Sequence, residues 1–302
     1  MRPTFIFVGS ADSAGCHPLT LTRSLADFPL ANIPLRQHQT AALLQAGVDP
    51  STGEKATLEV QVDAWLDSNE VLAFLADGSA GILTQADGKV LVRKAQAGTF
   101  TQVAAKSFSI SYSWDLLRAN EAALAAKVKF SLPLEFHPWL VRTGVLYVKG
   151  RLQLGKGTRL LPGVVIEGDV VIGDNCKIGP HCYIRGSTSI GDGCHIGQAV
   201  ELKNSILLNQ TNVGHLAYIG DSILGQGVNL GAGTISSNLR HDGKAHRSMV
   251  AGALVETGRR KFGTIIGDKV HTGINTSIYP GRKIWPSLTT LPGAIVDRDL
   301  LS

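Results

Sequence analysis

The C-terminal half of the chain carries a repeat of six residues. Every sixth position from 154 to 208 is Leu or Ile. If about one residue in four were aliphatic, such a run in one phase would arise by chance about once in a million trials. The sequence therefore contains a structural repeat. Its aliphatic positions are Leu154, Leu160, Ile166, Ile172, Ile178, Ile184, Ile190, Ile196, Leu202 and Leu208.

A period of six residues predicts a parallel β-helix. It matches neither the helical period of about 3.6 residues nor the alternation of a simple strand. It fits a coil of three short parallel strands, about 18 residues per turn, in which each strand points one aliphatic side chain inward. The second place of the hexad is often glycine, which indicates a tight corner with little room for a side chain. These glycines are Gly155, Gly173, Gly179, Gly191 and Gly197.

The same repeat accounts for three of the four cysteines. Cys176, Cys182 and Cys194 occupy the fifth place of the hexad, where we expect small side chains that pack inward. Cys176 and Cys194 lie one coil apart, so a zinc or disulfide pair is the alternative. The sequence has no C-x-x-C pair, and Cys16 is far away along the chain. We therefore predict no metal site.

Length and composition predict a soluble protein of two domains. The chain has 302 residues, 44% of them apolar, and we place the domains at 1–135 and 136–302, with an insertion loop at 236–263. There is no apolar run of membrane length and no signal-peptide layout. With unpaired cysteines, these features predict a cytoplasmic protein without membrane contact. The net charge of +5 is modest, so we expect no nucleic-acid partner.

A local basic cluster lies between two hexad runs. It is either a solvated loop or a binding site for anionic groups such as phosphates. Its members are Arg240, His241, Lys244, His246, Arg247, Arg259, Arg260 and Lys261.

The N-terminal part begins as a βα unit. We predict a strand at 4–8, a Gly/Ser loop, and a helix at 38–46 that ends at Gly47. Further strands are predicted at 58–64, 71–74 and 89–92. A helix is predicted from Ser113 or Asp115 to Leu124.

This part resembles the opening of sugar-1-phosphate nucleotidyltransferases. The resemblance rests on Pro18-Leu-Thr-Leu-Thr-Arg23, on Pro29-Leu30, Pro34 and His38, and on a W-D-L-L-x-x-N segment that begins at Trp114. The family binds nucleotide phosphates through an arginine in a glycine-rich loop and a lysine in a P-K-P segment. Here the loop from Val8 to Cys16 has no arginine, and Ile33 stands at the lysine position. The resemblance implies a shortened, degenerate α/β domain without nucleotidyl transfer.

The hexad phase shifts where polar residues gather. Val213 and Leu224 each come one residue early, and residues 236–263 interrupt the period before Ile266. Such insertions commonly lie on the binding face of a solenoid. Arg185 and Lys203 are 18 residues apart, so we expect them to stack about 4.8 Å apart on adjacent coils. Two cations so placed either need an anion or point apart into water.

We expect outward polar side chains to converge near those two cations. They are His215, Tyr218, Asn229 and Asn238.

Four motifs of this region resemble the acetyltransferase domain of bifunctional N-acetylglucosamine-1-phosphate uridyltransferase/glucosamine-1-phosphate acetyltransferase, over about residues 145–300. The run from Thr257 to Asp268 is closer to the archaeal-type branch. The resemblance implies a left-handed parallel β-helix of hexapeptide repeats that forms a homotrimer. It also implies acetyl-CoA-dependent N-acetylation of an amino-sugar-1-phosphate, with glucosamine-1-phosphate as the first choice. The motifs are Val200-Glu-Leu-Lys-Asn204, Gly214-His-Leu-Ala-Tyr-Ile-Gly-Asp221, Val228-Asn-Leu-Gly-Ala-Gly-Thr234 and Ser237-Asn-Leu-Arg-His-Asp-Gly-Lys244.

The resemblance also assigns roles to individual residues. His215 matches the catalytic base, and Asn238 is its companion in the catalytic set. Leu239 and Ile274 stand where the bacterial pattern has Tyr and Ser, which affects the acyl-donor contacts. The positions that match sugar-phosphate binding are Arg185, Lys203, Tyr218, Asn229 and Lys244. The positions assigned to acetyl-CoA are Gly231, Ala232, Arg259, Arg260, Lys261, Thr272 and Gly273.

Two other functions stay open. Some left-handed β-helix proteins bind zinc through three histidines and hydrate carbon dioxide, and His181, His195, His215 and His271 are the candidates here. The second alternative is a non-catalytic homologue that senses sugar nucleotides or acts as a scaffold.

Overall fold

The computed structural model describes residues 2–9, 14–53, 56–95, 100–127 and 146–301. The chain divides into two compact units. The first comprises residues 1–13, 23–29 and 33–115, and the second comprises residues 14–22, 30–32 and 116–302. The predicted domain boundary at 135/136 lies outside the described residues. No helix in the described ranges is both long enough and apolar enough to cross a bilayer.

The first unit is built on a mixed six-stranded sheet. Its helices and strands have the following bounds. The helices are α1 (Leu35–Gln45), α2 (Ser68–Ala76) and α3 (Ser113–Lys127), the last of which passes into the second unit. The strands up to residue 109 are β1 (Thr4–Val8), β2 (Pro29–Leu30), β3 (Ile33–Pro34), β4 (Asp49–Pro50), β5 (Leu58–Gln61), β6 (Ala64–Trp65), β7 (Ala80–Thr84), β8 (Val90–Lys94), β9 (Phe100–Val103) and β10 (Phe108–Ser109).

The sheet order is β4-β1-β5-β8-β7-β9, with β1 parallel to both of its neighbours. This confirms the predicted α/β class, the strand at 4–8 and the helices near 38–46 and 113–124. The strand predicted at 71–74 is wrong, because those residues lie in α2. The Asp67 side chain accepts hydrogen bonds from the backbone N–H groups of Asn69 and Glu70 and so caps the helix. Val71 and Phe74 are three residues apart and share its buried face.

The second unit is a parallel β-helix. Its strands are β11 (Leu146–Leu154), β12 (Arg159–Leu160), β13 (Val164–Ile172), β14 (Lys177–Ile178), β15 (Tyr183–Arg185), β16 (Thr188–Ile190), β17 (His195–Gln198), β18 (Glu201–Lys203), β19 (Ile206–Leu207), β20 (Asn212–His215), β21 (Tyr218–Gly220), β22 (Ile223–Leu224), β23 (Asn229–Leu230), β24 (Ile235–Ser236), β25 (Arg247–Val250), β26 (Ala253–Glu256), β27 (Ile265–Ile266), β28 (Ser277–Ile278), β29 (Lys283–Ile284) and β30 (Ile295–Val296).

The coils stack three walls, which we number in the order in which the chain meets them after β11. The first wall is β12, β14, β17, β20 and β23; the second is β15, β18, β21, β24, β28 and β30; the third is β16, β19, β22, β27 and β29. The long strand β13 runs through both the second and the third wall, since it pairs with β15 and β16, and β11 pairs with β13.

The hexad aliphatics set the register of the coil. Ile184 pairs with Ile166 on one side and with Leu202 on the other, which is the predicted step of 18 residues. Leu202 then pairs with Ile219, a step of 17, because Val213 comes one residue early. These side chains are fully buried in one continuous core, where each contributes about 1.5–3 kcal/mol. The predicted β-helix is confirmed.

The fifth-place cysteines pack inward, as predicted. Cys176, Cys182 and Cys194 are buried free thiols. The Cys176 thiol donates to the Gly191 carbonyl at 3.1 Å, and the Cys194 thiol donates to the Leu208 carbonyl at 3.2 Å. Burial raises the pKa of the Cys182 thiol to about 12.

Close stacking explains one of the hexad glycines. A Cβ atom on Gly197 would lie 1.8 Å from the carbonyl oxygen of Gly214 on the next coil. No side chain fits at that distance, so the coil requires glycine here.

The insertion leaves the coil after β24 and returns at β27, where Ile265 pairs with Ile223. Between them, β25 and β26 form an antiparallel hairpin in which Arg247 lies opposite Glu256. The hairpin is followed by the buried ring of Phe262.

Candidate functional site

Arg185 and Lys203 are register partners on adjacent strands of the second wall, so the predicted stack is present. The Arg185 guanidinium donates through Nε and Nη2 to Glu201 Oε1, at 2.8 and 2.6 Å. Lys203 Nζ donates to Asp221 Oδ2 at 2.7 Å. The chain itself therefore supplies the anions that this cation pair requires.

Asp221 is the centre of a buried polar cluster. Its carboxylate also accepts hydrogen bonds from the side-chain amides of Asn204, at 3.0 Å, and of Asn238, at 2.6 Å. Asn238 Nδ2 donates in addition to the hydroxyl of Tyr218, at 3.0 Å. Burial raises the pKa of the Tyr218 phenol, and the Glu201 and Asp221 carboxylates raise it further, so the phenol is neutral near pH 7. The structure thus joins Lys203, Tyr218 and Asn238 in one network.

Glu121 of helix α3 extends this network to the insertion. Its Oε1 accepts from Asn204 Nδ2 at 2.9 Å and from Arg259 Nη2 at 2.6 Å. Arg259, which the resemblance assigned to acetyl-CoA, is thus bound to the helix, whereas Arg260 and Lys261 are exposed. A site residue that sequence reasoning missed is Asp221, although it closes a quoted motif. Glu121 carried no sequence signal, because it lies 83 residues from Asn204.

His215 is the exposed last residue of β20, at the corner between the first and second walls. The next residue, Leu216, turns the corner with a φ of +50°. Four of the predicted acetyl-CoA positions lie at the same corner on the following coils. Gly233 N donates to the carbonyl of His215, and Gly231 N donates to Thr272 Oγ1 at 2.9 Å. The corner therefore places Gly231, Ala232, Thr272 and Gly273 in line with His215.

Two predicted residues lie apart from the buried cluster. Asn229 belongs to β23 of the first wall, where its register partner is Asn212, whereas Tyr218 and Lys203 lie on the second wall. Lys244 is exposed in the insertion, and its backbone N–H donates to Asp242 Oδ1 at 3.1 Å. Within one chain, the cluster thus excludes Asn229.

The histidines proposed as zinc ligands are spread along the coil. His195 lies on β17, and its pKa is lowered by burial and then by the charges of Lys177 and His215. His271 forms a bridge with Asn229. Across the part of the chain that the structure describes, no group of three or more His, Cys, Asp or Glu side chains is arranged to hold a metal ion.

Comparisons with known proteins cover mainly the β-helix. The family model described as the GMPPB C-terminal domain matches residues 166–289. The chain is 45% identical over 102 residues to a bifunctional sugar-1-phosphate nucleotidylyltransferase/acetyltransferase of Sulfurisphaera tokodaii, which is 34% of this chain and 25% of that protein. It is 41% identical over 100 residues to the bifunctional protein GlmU of Methanococcus vannielii, which is 33% of this chain and 24% of that protein.

A solved structure, the polysialic acid O-acetyltransferase OatWY, matches with a TM-score of 0.29 and 19% identity over 52% of this chain and 81% of that chain. The matches to the curated relatives span about a quarter of those proteins. The resemblance indicated by the motifs is confirmed: over its C-terminal region, the chain is similar to bifunctional enzymes of the GlmU type.

Proposed function

We propose that this chain is an acetyl-CoA-dependent N-acetyltransferase that acts on an amino-sugar-1-phosphate, with glucosamine-1-phosphate as the first candidate. The observation that carries the proposal is the linked set of Lys203, Asp221, Asn238 and Tyr218, with Arg185 stacked one coil away. This set lies on the wall that follows the corner of His215. The activities for which these relatives are named support the same chemistry.

In the proposed reaction, the sugar amine attacks the thioester carbonyl of acetyl-CoA directly. The imidazole of His215 takes the proton that the amine loses as the new C–N bond forms. The tetrahedral intermediate then expels the thiolate of CoA, which takes that proton from the imidazolium. No covalent enzyme intermediate is needed, so catalysis comes from orientation and from donors near the carbonyl oxygen.

The cations bind the phosphate of the sugar in this scheme. Arg185 is about one-third exposed and can extend a free edge of its guanidinium to a ligand, whereas Lys203 is only 15% exposed. Asp221 holds Lys203 and Asn238 in fixed positions. Arg185 therefore makes the main phosphate contact, and Lys203 supports it.

Asn229 enters the site through a neighbouring protomer. Because Asn229 lies on the first wall and Asn238 next to the second, a homotrimer that packs the first wall of one copy against the second wall of the next would unite them. Exposed apolar side chains support such an assembly, among them Leu216 at 63% exposed, Ile274 at 53% and Ile295 at 66%. Sedimentation equilibrium tests it, and a monomer at working concentration contradicts it.

The proposal also includes a first unit without nucleotidyl transfer and a cytoplasmic location. The absence of the loop arginine and the presence of Ile33 at the lysine position support the first point. The test is pyrophosphate release from UTP and N-acetylglucosamine-1-phosphate. Pyrophosphate release that is faster than in a control without protein would overturn the inference that the first unit lacks nucleotidyl transfer.

One observation favours the non-catalytic alternative. The first unit lacks the arginine and the lysine with which the nucleotidyltransferase pattern binds nucleotide phosphates, as expected of a homologue that has lost its reaction. A sensor would bind the sugar phosphate without releasing CoA.

The experiment that separates the two functions follows free thiol released from acetyl-CoA with a panel of amino-sugar-1-phosphates. We expect sugar-dependent release, which His215→Gln lowers by about 10²- to 10⁴-fold. His195→Gln, on a neighbouring strand of the same wall, is the matched control and is expected to leave the rate near that of the wild type. Binding of a sugar phosphate without release would support the sensor instead.

A further inference from the structure

Four members of the basic cluster line a cleft that the proposed reaction does not use. They are Arg240, His241, His246 and Arg247. The cleft has a volume of about 590 Å³, which lies in the range typical of small-molecule sites. Its lining combines Arg240, Arg247 and Arg282 with Leu239 and Tyr279.

The cleft lies at a different corner of the coil from four of the predicted acetyl-CoA positions, which are Gly231, Ala232, Thr272 and Gly273. Tyr279 follows β28 of the second wall, and Arg282 precedes β29 of the third wall. Gly231 and Thr272, in contrast, lie at the corner that precedes the second wall. Arg259 and Lys261 adjoin the cleft through backbone contacts with His246 and Leu239. A ligand in the cleft therefore lies at a different corner from His215.

The charge of the lining favours an anion. Three guanidinium groups face the cleft, against one carboxylate, Asp242. Arg240 is bound to Asp242 through both Nε and Nη2, at 2.9 and 2.7 Å. Arg247 is half exposed and lies 3.9 Å from the exposed Glu256. Because its partner is distant and hydrated, Arg247 keeps most of its attraction for a ligand.

Arg282 is the guanidinium that most needs a ligand. Its Nε is buried and has no hydrogen-bond partner among the described residues. Its backbone is fixed, because its N–H donates to the carbonyl of Tyr279 and its own carbonyl accepts from Thr264 Oγ1 at 2.9 Å. A buried donor without an acceptor is costly, so a shift of the Arg282 side chain towards an oxyanion in the cleft would be favourable.

The rest of the lining is apolar or neutral. Tyr279 is 53% exposed and Leu239 is 42% exposed, so a flat apolar surface adjoins the guanidiniums. His246 is buried and places Nε2 3.1 Å from the carbonyl of Asn238, which connects the cleft to the candidate site. A bare phosphate would leave the Tyr279 ring uncovered, whereas an aromatic base would stack on it.

We infer that this cleft is a second ligand site, for a nucleotide whose diphosphate binds Arg282 and Arg247 and whose base stacks on Tyr279. The proposed ligand is a free nucleotide. The adenosine end of CoA presents the same groups, so the test must exclude it. The site goes beyond the proposed transferase reaction, and its binding test is independent of turnover.

The test is calorimetric titration of the full chain with ADP and, separately, with pyrophosphate. We expect ADP to bind more tightly than pyrophosphate, and Arg282→Gln to weaken both by about tenfold, the loss of one charge-assisted contact. Tyr279→Ala should weaken ADP and leave pyrophosphate unchanged. Arg159→Gln, an exposed arginine on the first wall, is the charge-matched control and should change neither.

Several results would overturn the inference. The first is that ADP does not bind. The second is that Arg159→Gln and Arg282→Gln weaken ADP binding equally, and the third is that pyrophosphate binds as tightly as ADP. Arg247→Gln serves if Arg282→Gln does not fold, because the Arg247 side chain is half exposed. Competition between CoA and ADP completes the test. Simultaneous binding of both supports a second site, whereas displacement of ADP by CoA would overturn it, because the cleft would then be the acyl-donor site.

Discussion

Replacement of Asp221 by Asn removes the charge that holds the buried cluster together. The Asp221 side chain is 4% exposed and the Lys203 side chain is 15% exposed, so the lysine would keep a charge with little access to water. Removal of one partner from a buried ion pair costs about 3–5 kcal/mol, and the residual exposure of Lys203 places our expectation near 3 kcal/mol. Asn is the suitable substitute because the backbone φ of +51° at this position is one that Asn tolerates as well as Asp.

Hydrogen exchange measures this cost locally. The amides of β18 and β21, which flank the ion pair, should open with a free energy about 3 kcal/mol lower in Asp221→Asn than in the wild type. The double variant Lys203→Met with Asp221→Asn removes both charges and should recover most of that loss. A cost below about 1 kcal/mol in the single variant, or a double variant less stable than the single one, would refute the buried-pair argument.

Three further predictions concern the coil. Gly197→Ala should destabilise the protein by about 3 kcal/mol in urea denaturation, because its Cβ would lie 1.8 Å from the Gly214 carbonyl oxygen. Gly214→Ala is the control and should cost far less, because the space around the added carbon is open. Equal losses of stability in the two variants would contradict the close stacking of the coils. Ile184→Ala should cost about 2–5 kcal/mol in the same assay, since the side chain is fully buried; a loss under about 1 kcal/mol would contradict its place in the core. The raised pKa of the Cys182 thiol predicts that the protein loses stability at alkaline pH. Below pH 9.0 the thiol is protonated in both the folded and the unfolded state, so its contribution to the free energy of unfolding is intact. Between pH 9.0 and about 12 that contribution falls by about 1.4 kcal/mol per pH unit, because the thiol of the unfolded chain loses its proton first. Cys182→Ala should show a smaller fall between those pH values, and an unchanged pH profile would contradict the prediction.

The fold of the C-terminal half could be predicted because its signal is local and repeated. The six-residue period fixes both the inward aliphatics and the step between coils, so the pairing of Arg185 with Lys203 follows from spacing alone. The 17-residue step from Leu202 to Ile219 follows in the same way from the early Val213.

The rest of the site depends on contacts that no local pattern encodes. Glu121 reaches Asn204 and Arg259 from helix α3, across 83 and 138 residues of sequence. The pairing of Lys203 with Asp221 follows the 18-residue spacing of the coil, although that spacing alone does not show which anion a cation will bind. In the first unit, a short apolar run at 71–74 fits a strand as well as a helix, and only the cap at Asp67 distinguishes them.

The most direct test of the proposed function is mass spectrometry of the sugar after incubation with acetyl-CoA. Glucosamine-1-phosphate and glucose-1-phosphate form a matched pair, because they differ in the amine that the reaction requires. The proposed function predicts that glucosamine-1-phosphate or another amino-sugar-1-phosphate of the panel gains one acetyl group and that glucose-1-phosphate gains none. His215→Gln should form the product about 10²- to 10⁴-fold more slowly. Acetylation of glucose-1-phosphate at the same rate, or no acetylated sugar from any member of the panel, would contradict it.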